Sequence, residues 1–383
     1  MTFAPSAVAD PSRVSYALID PDAITHNVEV LRRAAAPAGL WAVVKADGYG
    51  HGSVTAARAA LAGGADGLAV ALVGEGERLR AEGVGARVLV LSEPPLSHMA
   101  RVVASRLEPT VYSLAAIETA AHAAEAAAGS GPLPVHLKVD TGMHRAGCDR
   151  RDAVDLAVAI SRQPKLHLAS VWTHCAVADE PGNPFTAEQL ERFAEVRAAI
   201  GAAGVQVEHF HMANSAATLV HPEARGSFVR CGIAIYGLLP SNALAPWCGQ
   251  LRPAMSVRSE VSFVRRVPAG EGISYGLRYA PERDATIATV PLGYADGVTR
   301  RLGKTDGEVL IGGRRRRIAG TITMDQLMVD CGDDAVVRGD EVVLIGRQGD
   351  EVITVEQWAD RLDTITYEVT CGFGARLPRR LAR

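Results

Sequence analysis

Between about residues 40 and 235, short β-rich runs alternate with Ala-, Glu- and Arg-rich segments of helical period. This alternation restricts the chain to folds built on a parallel sheet. The β-runs read AVVK (42–45), GLAV (67–70), VLVL (88–91), PTVY (109–112), VHLKVD (135–140), ASVWTH (169–174), EHFHMAN (208–214) and FVRCGI (228–233). Eight such runs favour a closed (β/α)8 TIM barrel over an open sheet. After about residue 250 the texture changes to β-formers broken by Gly and Asp turns, as in TIATVPLGYADGV, GEVLIGG and DEVVLIG, which predicts a mostly β second domain. With LRPAM (251–255) as the boundary, the expected α/β architecture is a barrel over 14–250 and a C-terminal β domain over 251–383.

Composition narrows the partners. A net charge of -3 gives no general pull toward nucleic acid or anionic membrane. The six cysteines are scattered without a CxxC pair, as expected of reduced thiols. The opening MTFAPSAVAD lacks a basic segment followed by an apolar one, and no later run approaches about 18 apolar residues. These features predict a soluble, cytoplasmic protein.

In a (β/α)8 barrel the open mouth is formed by the carboxyl ends of the strands, so unusual residues there are the candidate chemistry. Lys45 is expected to end strand one. Lys138 and Asp140 end strand five with Arg145 just beyond, His174 ends strand six, Asn214 and Ser215 follow strand seven, and Arg230 ends strand eight. The loops after strands seven and eight, ANSAAT and RCGIAIYG, offer Ser215 and the amides of Gly232 and Ile233, where barrels commonly hold a phosphate. A strand-end lysine together with a phosphate cradle points to a phosphorylated carbonyl cofactor held as a Schiff base.

These motifs, with HLKVDTGMHRAG, WTHCAVADE, GISYG, PLGYADG, TMDQ and TYEV in order, make the chain similar to the bacterial alanine racemases over residues 14–383. The resemblance implies pyridoxal 5'-phosphate as cofactor, Lys45 as its lysine, and Tyr49, Ser215, Gly232, Ile233 and Tyr367 around the phosphate. Arg230 resembles the arginine facing the pyridine nitrogen and His174 the histidine beside it, with Asn214 in the same cofactor-binding segment. Tyr275 is similar to the second catalytic base, Arg145 and the Met324 amide to the grip on the substrate carboxylate, and Tyr294 to the tyrosine guarding the substrate entrance. Lys138 matches a lysine that often carries a carbamate. The resemblance further implies interconversion of L- and D-alanine for peptidoglycan precursors by a homodimer with shared sites.

The chemistry is coherent with those roles. Racemisation needs a base on each face of the reacting carbon, and a tyrosine, titrating near 10, needs a positive field to act at neutral pH. His174 and Arg230 are expected to supply that field. Arginine is a donor with no proton to spare, so it leaves the pyridine nitrogen unprotonated and the electron sink weak.

Other readings compete with these. His209 and His211 share a strand face and suggest a metal pair, but strand eight ends in Arg230 where a metal-binding Asp would be wanted. Lys138 has a structural reading as the ion-pair partner of Asp140. The run RRRR (314–317) reads as a solvated hairpin rather than a nucleic-acid patch. A serine or broad-spectrum racemase, a barrel-type amino-acid decarboxylase and a non-catalytic cofactor carrier are the alternative functions. Asp47 and Gly48 stand where many relatives carry Asn and Ala, and Tyr367 is kept where broader racemases carry a smaller residue.

Overall fold

The computed structural model describes residues 12–127 and 131–382. The opening decapeptide lies outside them. The chain divides into two compact units, Asp22–Arg252 and a second made of the described residues up to Pro21 together with those from Pro253 onward.

The first unit is the eight-stranded parallel barrel that the alternation predicts. Its strands are β1 (Gly39–Val43), β2 (Gly67–Val70), β3 (Val88–Val90), β4 (Glu108–Val111), β5 (Leu133–Lys138), β6 (Leu166–Trp172), β7 (His209–His211) and β8 (Phe228–Cys231). From β1 to β7 each strand pairs in parallel with the next, and β1 also pairs in parallel with β8. Closure between β7 and β8 is made by two amides, Ser227 N–H to the Phe210 carbonyl at 2.8 Å and Arg230 N–H to the Ala213 carbonyl at 2.9 Å. Helices cover the strands with one apolar face. Leu114–Ala126 buries Ala116, Ile117, Ala120 and Ala124 at helical spacing, and Ser113 caps it by accepting from the Ala116 amide.

The second unit contains a seven-stranded and a three-stranded sheet. Residues 14–21, assigned to the barrel on sequence, belong here: strand Tyr16–Ile19 lies between Met255–Glu260, antiparallel, and Arg379–Leu381, parallel. The reason is long-range pairing, to which local pattern is blind. The arginine run forms strand Arg314–Arg317, joined to Glu308–Ile311 through Gly312 and Gly313. Both glycines have positive φ (62° and 70°), as a tight hairpin turn requires. Its charges are matched in place, Arg314 and Arg316 by Asp334, Arg315 by Glu351 and Arg317 by Asp306. Among the described residues no helix is long and apolar enough to cross a membrane.

Candidate active site

Lys45 does not end its strand. Strand β1 stops at Val43, and Lys45 opens a turn in which Ala46, Asp47, Gly48, Tyr49 and Gly50 all have positive φ (51°, 51°, 64°, 51° and 84°). Left-handed backbone costs roughly 1–2 kcal/mol per non-glycine residue, so something must hold it. The Glu75 carboxylate does much of this, accepting from the amides of Ala46 (2.7 Å), Ala71 (2.8 Å) and Leu72 (3.0 Å). Asp47 accepts from the Ser53 amide at 3.0 Å and pairs with Arg78 at 3.2 Å. A Cβ at Gly48 would press on Ala56 and Ser53, and its φ of 64° also favours glycine. The turn fixes the backbone just after Lys45 and buries Tyr49.

Around the mouth the cations gather. Lys138 is 5% exposed, with its amine 4.7 Å from the centre of the Trp172 ring. Its pKa is pushed down to about 8, first by burial and then by Arg145 and Arg230. The ion pair with Asp140 is not formed: among the described residues Lys138 has no salt-bridge partner, and Asp140 serves its own loop, accepting from the amides of Gly142 (2.8 Å) and His144 (3.1 Å). That loop turns at Gly147 (φ 130°), where a Cβ would meet the Asp140 amide at 2.8 Å, and it carries the exposed Arg145.

Arg230 is buried beneath this cluster. One terminal nitrogen donates to the carbonyls of Thr173 (2.8 Å) and Met212 (2.9 Å) and lies 3.3 Å from His174 Nδ1, while the other donates to His211 Nδ1. Burial pushes its pKa down to about 10, leaving it a cation at neutral pH. His174 is driven well below 6.5, by burial and then by Arg230, Arg145, Lys138 and Lys45. Of the pair expected to supply a positive field, Arg230 therefore carries charge and His174 is neutral. His211 accepts from Arg230, and His209 faces Glu208 at 3.2 Å. Among the described residues no group of three or more His, Cys, Asp or Glu side chains is placed to hold a metal ion.

Strands β7 and β8 build the anion cradle. Asn214 caps the helix Ser215–Val220, its side chain accepting from the Ala217 amide at 2.9 Å, so it shapes the loop. Ser215 Oγ accepts from the Gly232 amide at 2.8 Å. A Cβ at Gly232 would be driven into the Tyr49 hydroxyl. The Tyr49 phenol and the Ser215 hydroxyl thus both lie against the backbone of Gly232, next to Ile233. The donor set fits a phosphorylated pyridine aldehyde: hydroxyls and amides for the phosphate, a buried guanidinium for a ring nitrogen, and an amine at Lys45 for the carbonyl carbon.

The remaining sequence candidates belong to the second unit. Tyr275, Tyr294 and Met324 line one hollow of about 560 Å3 with Arg300 and Asp325. Tyr275 is 72% exposed and Met324 52% exposed. The backbone of Tyr275 is nonetheless fixed, since Thr321 Oγ1 donates to its carbonyl at 2.8 Å and Ser274 Oγ donates to the Thr321 carbonyl at 2.6 Å. Tyr367 is half-buried in the helix Thr366–Cys371. The barrel unit thus brings together Lys45, Tyr49, Lys138, His174, Ser215, Arg230, Gly232 and Ile233, and the β unit brings together Tyr275, Tyr294 and Met324. Sequence reasoning missed Glu75, which holds the Lys45 turn, and Trp172, whose ring receives both Lys138 and Arg230. An acidic residue three positions into the helix after β2, in its first turn, was the available signal for the first.

Comparison with known proteins gives the family and the fold. The family model described as alanine racemase, N-terminal domain, matches residues 19–240, and that of the alanine racemase C-terminal domain matches residues 254–381. An alanine racemase of Frankia casuarinae is 44% identical over 370 residues, covering 96% of each chain. One from Symbiobacterium thermophilum is 44% identical over 371 residues, covering 97% of each. The crystal structure of alanine racemase from E. faecalis superimposes with a TM-score of 0.92 at 38% identity, covering 98% of this chain and 100% of that one.

Proposed function

Because the chain belongs to the alanine racemase family, we propose that it interconverts L- and D-alanine with pyridoxal 5'-phosphate. The observation that carries this reading is the barrel mouth, where Lys45, the Ser215–Gly232 cradle and the buried Arg230 guanidinium together match the three ends of that cofactor. Lys45, Tyr49, Ser215, Gly232, Ile233, Arg230 and Tyr367 would hold it. When bound, the cofactor's ring supplies the electron sink that acidifies the Cα proton.

The chain's own groups then divide the work. Lys45 Nζ and Tyr275 Oη are the two bases, one for each face of Cα. Arg145 and the Met324 amide bind the substrate carboxylate, and Tyr294 guards the entrance. A lysine buried among cations with its pKa near 8 keeps a neutral fraction at physiological pH, which is the form that adds carbon dioxide. Loss of one proton from the Lys138 ammonium gives the amine, whose addition of carbon dioxide releases a second, so that carbamylation replaces a buried cation with an anion beside Arg145 and Arg230. Exposure of Tyr275, Leu277, Phe263 and Met324 on the β unit supports a homodimer in which this face is covered by a second copy. D-alanine production of this kind serves peptidoglycan precursors in the cytoplasm.

The test is chiral chromatography of L-alanine and L-serine incubated with the purified protein and pyridoxal phosphate, with carbon dioxide followed in the same vessel. D-alanine without gas supports the reading. Gas evolution identifies a decarboxylase, conversion of serine alone moves the substrate, and no turnover of either leaves a cofactor carrier.

A further inference from the structure

A belt of hydrogen bonds crosses the barrel interior from the mouth. It begins at Arg230 on β8, passes to His211 on β7, from His211 Nε2 to Ser170 Oγ on β6 (3.0 Å), and from Ser170 Oγ to His136 Nδ1 on β5 (2.7 Å). From His136 Nε2 it reaches Glu108 on β4 (2.8 Å), whose carboxylate is also gripped by Arg87 at 2.7 and 2.9 Å. Each link joins adjacent strands. Glu108, His136, Ser170, His211 and Arg230 are all buried, and the belt reaches solvent at Arg87.

The two ends dictate the polarity of everything between them. A guanidinium can only donate, so His211 Nδ1 must accept and its hydrogen sits on Nε2. A carboxylate can only accept, so His136 places its hydrogen on Nε2. Ser170 then receives from His211 and donates to His136, and every hydrogen is used once. An imidazolium at His211 would set its Nδ1–H against the Arg230 donor, and one at His136 would take away the acceptor for the Ser170 hydroxyl hydrogen. Burial pushes both histidines below 6.5, in agreement.

Proton conduction is excluded by the same ends. Shifting every hydrogen one place would leave a neutral guanidine at Arg230, which titrates near 10, and a protonated carboxyl at Glu108, held near 2 by His136 and Arg87 against the cost of burial. What the belt can do is orient. Trp172 adds to this, stacked on the His211 ring at 5.7 Å with the Arg230 guanidinium 4.4 Å from its ring centre.

We propose that Glu108, His136, Ser170 and His211 form a positioning belt that holds the Arg230 guanidinium in one orientation toward the pyridine nitrogen. The inference rests on the cofactor reading above. Residues with no contact to cofactor or substrate thereby set how the cofactor is used.

The experiment compares holoenzyme carrying Ser170→Ala, Glu108→Gln and both. The expected result is a kcat lowered by about tenfold to a hundredfold with the KM for L-alanine unchanged, a shifted absorption band of the bound cofactor, and more cofactor lost to its amine form per turnover. Both substitutions cut the same chain, so the double variant should be no worse in kcat than the worse single one. Additive losses of melting temperature with unchanged kcat and absorption would assign the belt to stability alone and overturn the proposal. Nitrogen NMR of the wild-type histidines decides independently of turnover. Neutral Nε2–H tautomers at His136 and His211 support the belt, whereas an imidazolium or an Nδ1–H tautomer at either refutes it even in an active racemase.

Discussion

Replacing Lys138 by methionine should stabilise the barrel at neutral pH, an unusual expectation for a lysine at a catalytic mouth. Methionine keeps the unbranched stem and its contact with the Trp172 ring while removing the buried charge. The gap between the ordinary lysine value of 10.5 and about 8, at 1.36 kcal/mol per pKa unit, makes the penalty about 3 kcal/mol. Below pH 8 the folded and unfolded chains both carry the proton, and the whole penalty is present. As pH rises from about 8 to 10.5 the folded chain loses its proton first, so the wild type gains stability relative to the variant until the difference vanishes.

The assay is thermal unfolding of both proteins, saturated with pyridoxal phosphate in carbon dioxide-free buffer. At pH 7 the variant should melt about 6–12 °C higher for a unit of this size. The difference should shrink above pH 8. Added bicarbonate should close it at pH 7, with the intact mass of the wild type alone rising by one carbon dioxide. A melting difference independent of pH, or a variant that melts lower at pH 7, would refute the reasoning.

Two further outcomes follow from the geometry. Gly232→Ala drives a methyl group into the Tyr49 hydroxyl, so cofactor retention on dialysis, read by absorbance, should fall at least tenfold while the melting temperature of the cofactor-free protein changes little. Mixing inactive Lys45→Ala with inactive Tyr275→Phe protein should restore about a quarter of wild-type activity if each site draws its two bases from different copies, and the absence of recovery after demonstrated subunit exchange would count against shared sites.

Much of the barrel was legible because its strands are buried on both faces and bounded by helices of clear period, so eight short runs stand out by count alone. The handedness of the turn after β1 was not. Gly48 and Gly50 hint at positive φ, but Ala46, Asp47 and Tyr49 adopt it too, held by the Glu75 carboxylate some thirty residues on and by the bonds of Asp47 to Ser53 and Arg78. The hydrogen-bonded belt was hidden for a different reason. Glu108, His136, Ser170 and His211 each look like an isolated polar residue in an apolar strand, and the register of parallel strand pairing makes them neighbours. His211 was singled out, but as half of a metal pair. Likewise the strand at Tyr16–Ile19 reads as the start of the barrel because pattern carries no information about a partner more than 350 residues away.

The central claim, two bases on opposite faces of one carbon, is tested most directly by Cα hydrogen exchange in heavy water with Tyr275→Phe holoprotein. Solvent deuterium should enter D-alanine with retained configuration through Lys45, while L-alanine keeps its Cα proton and no racemate forms. Equal washout into both enantiomers, or racemisation at the wild-type rate, would contradict the assignment of Tyr275 as the second base.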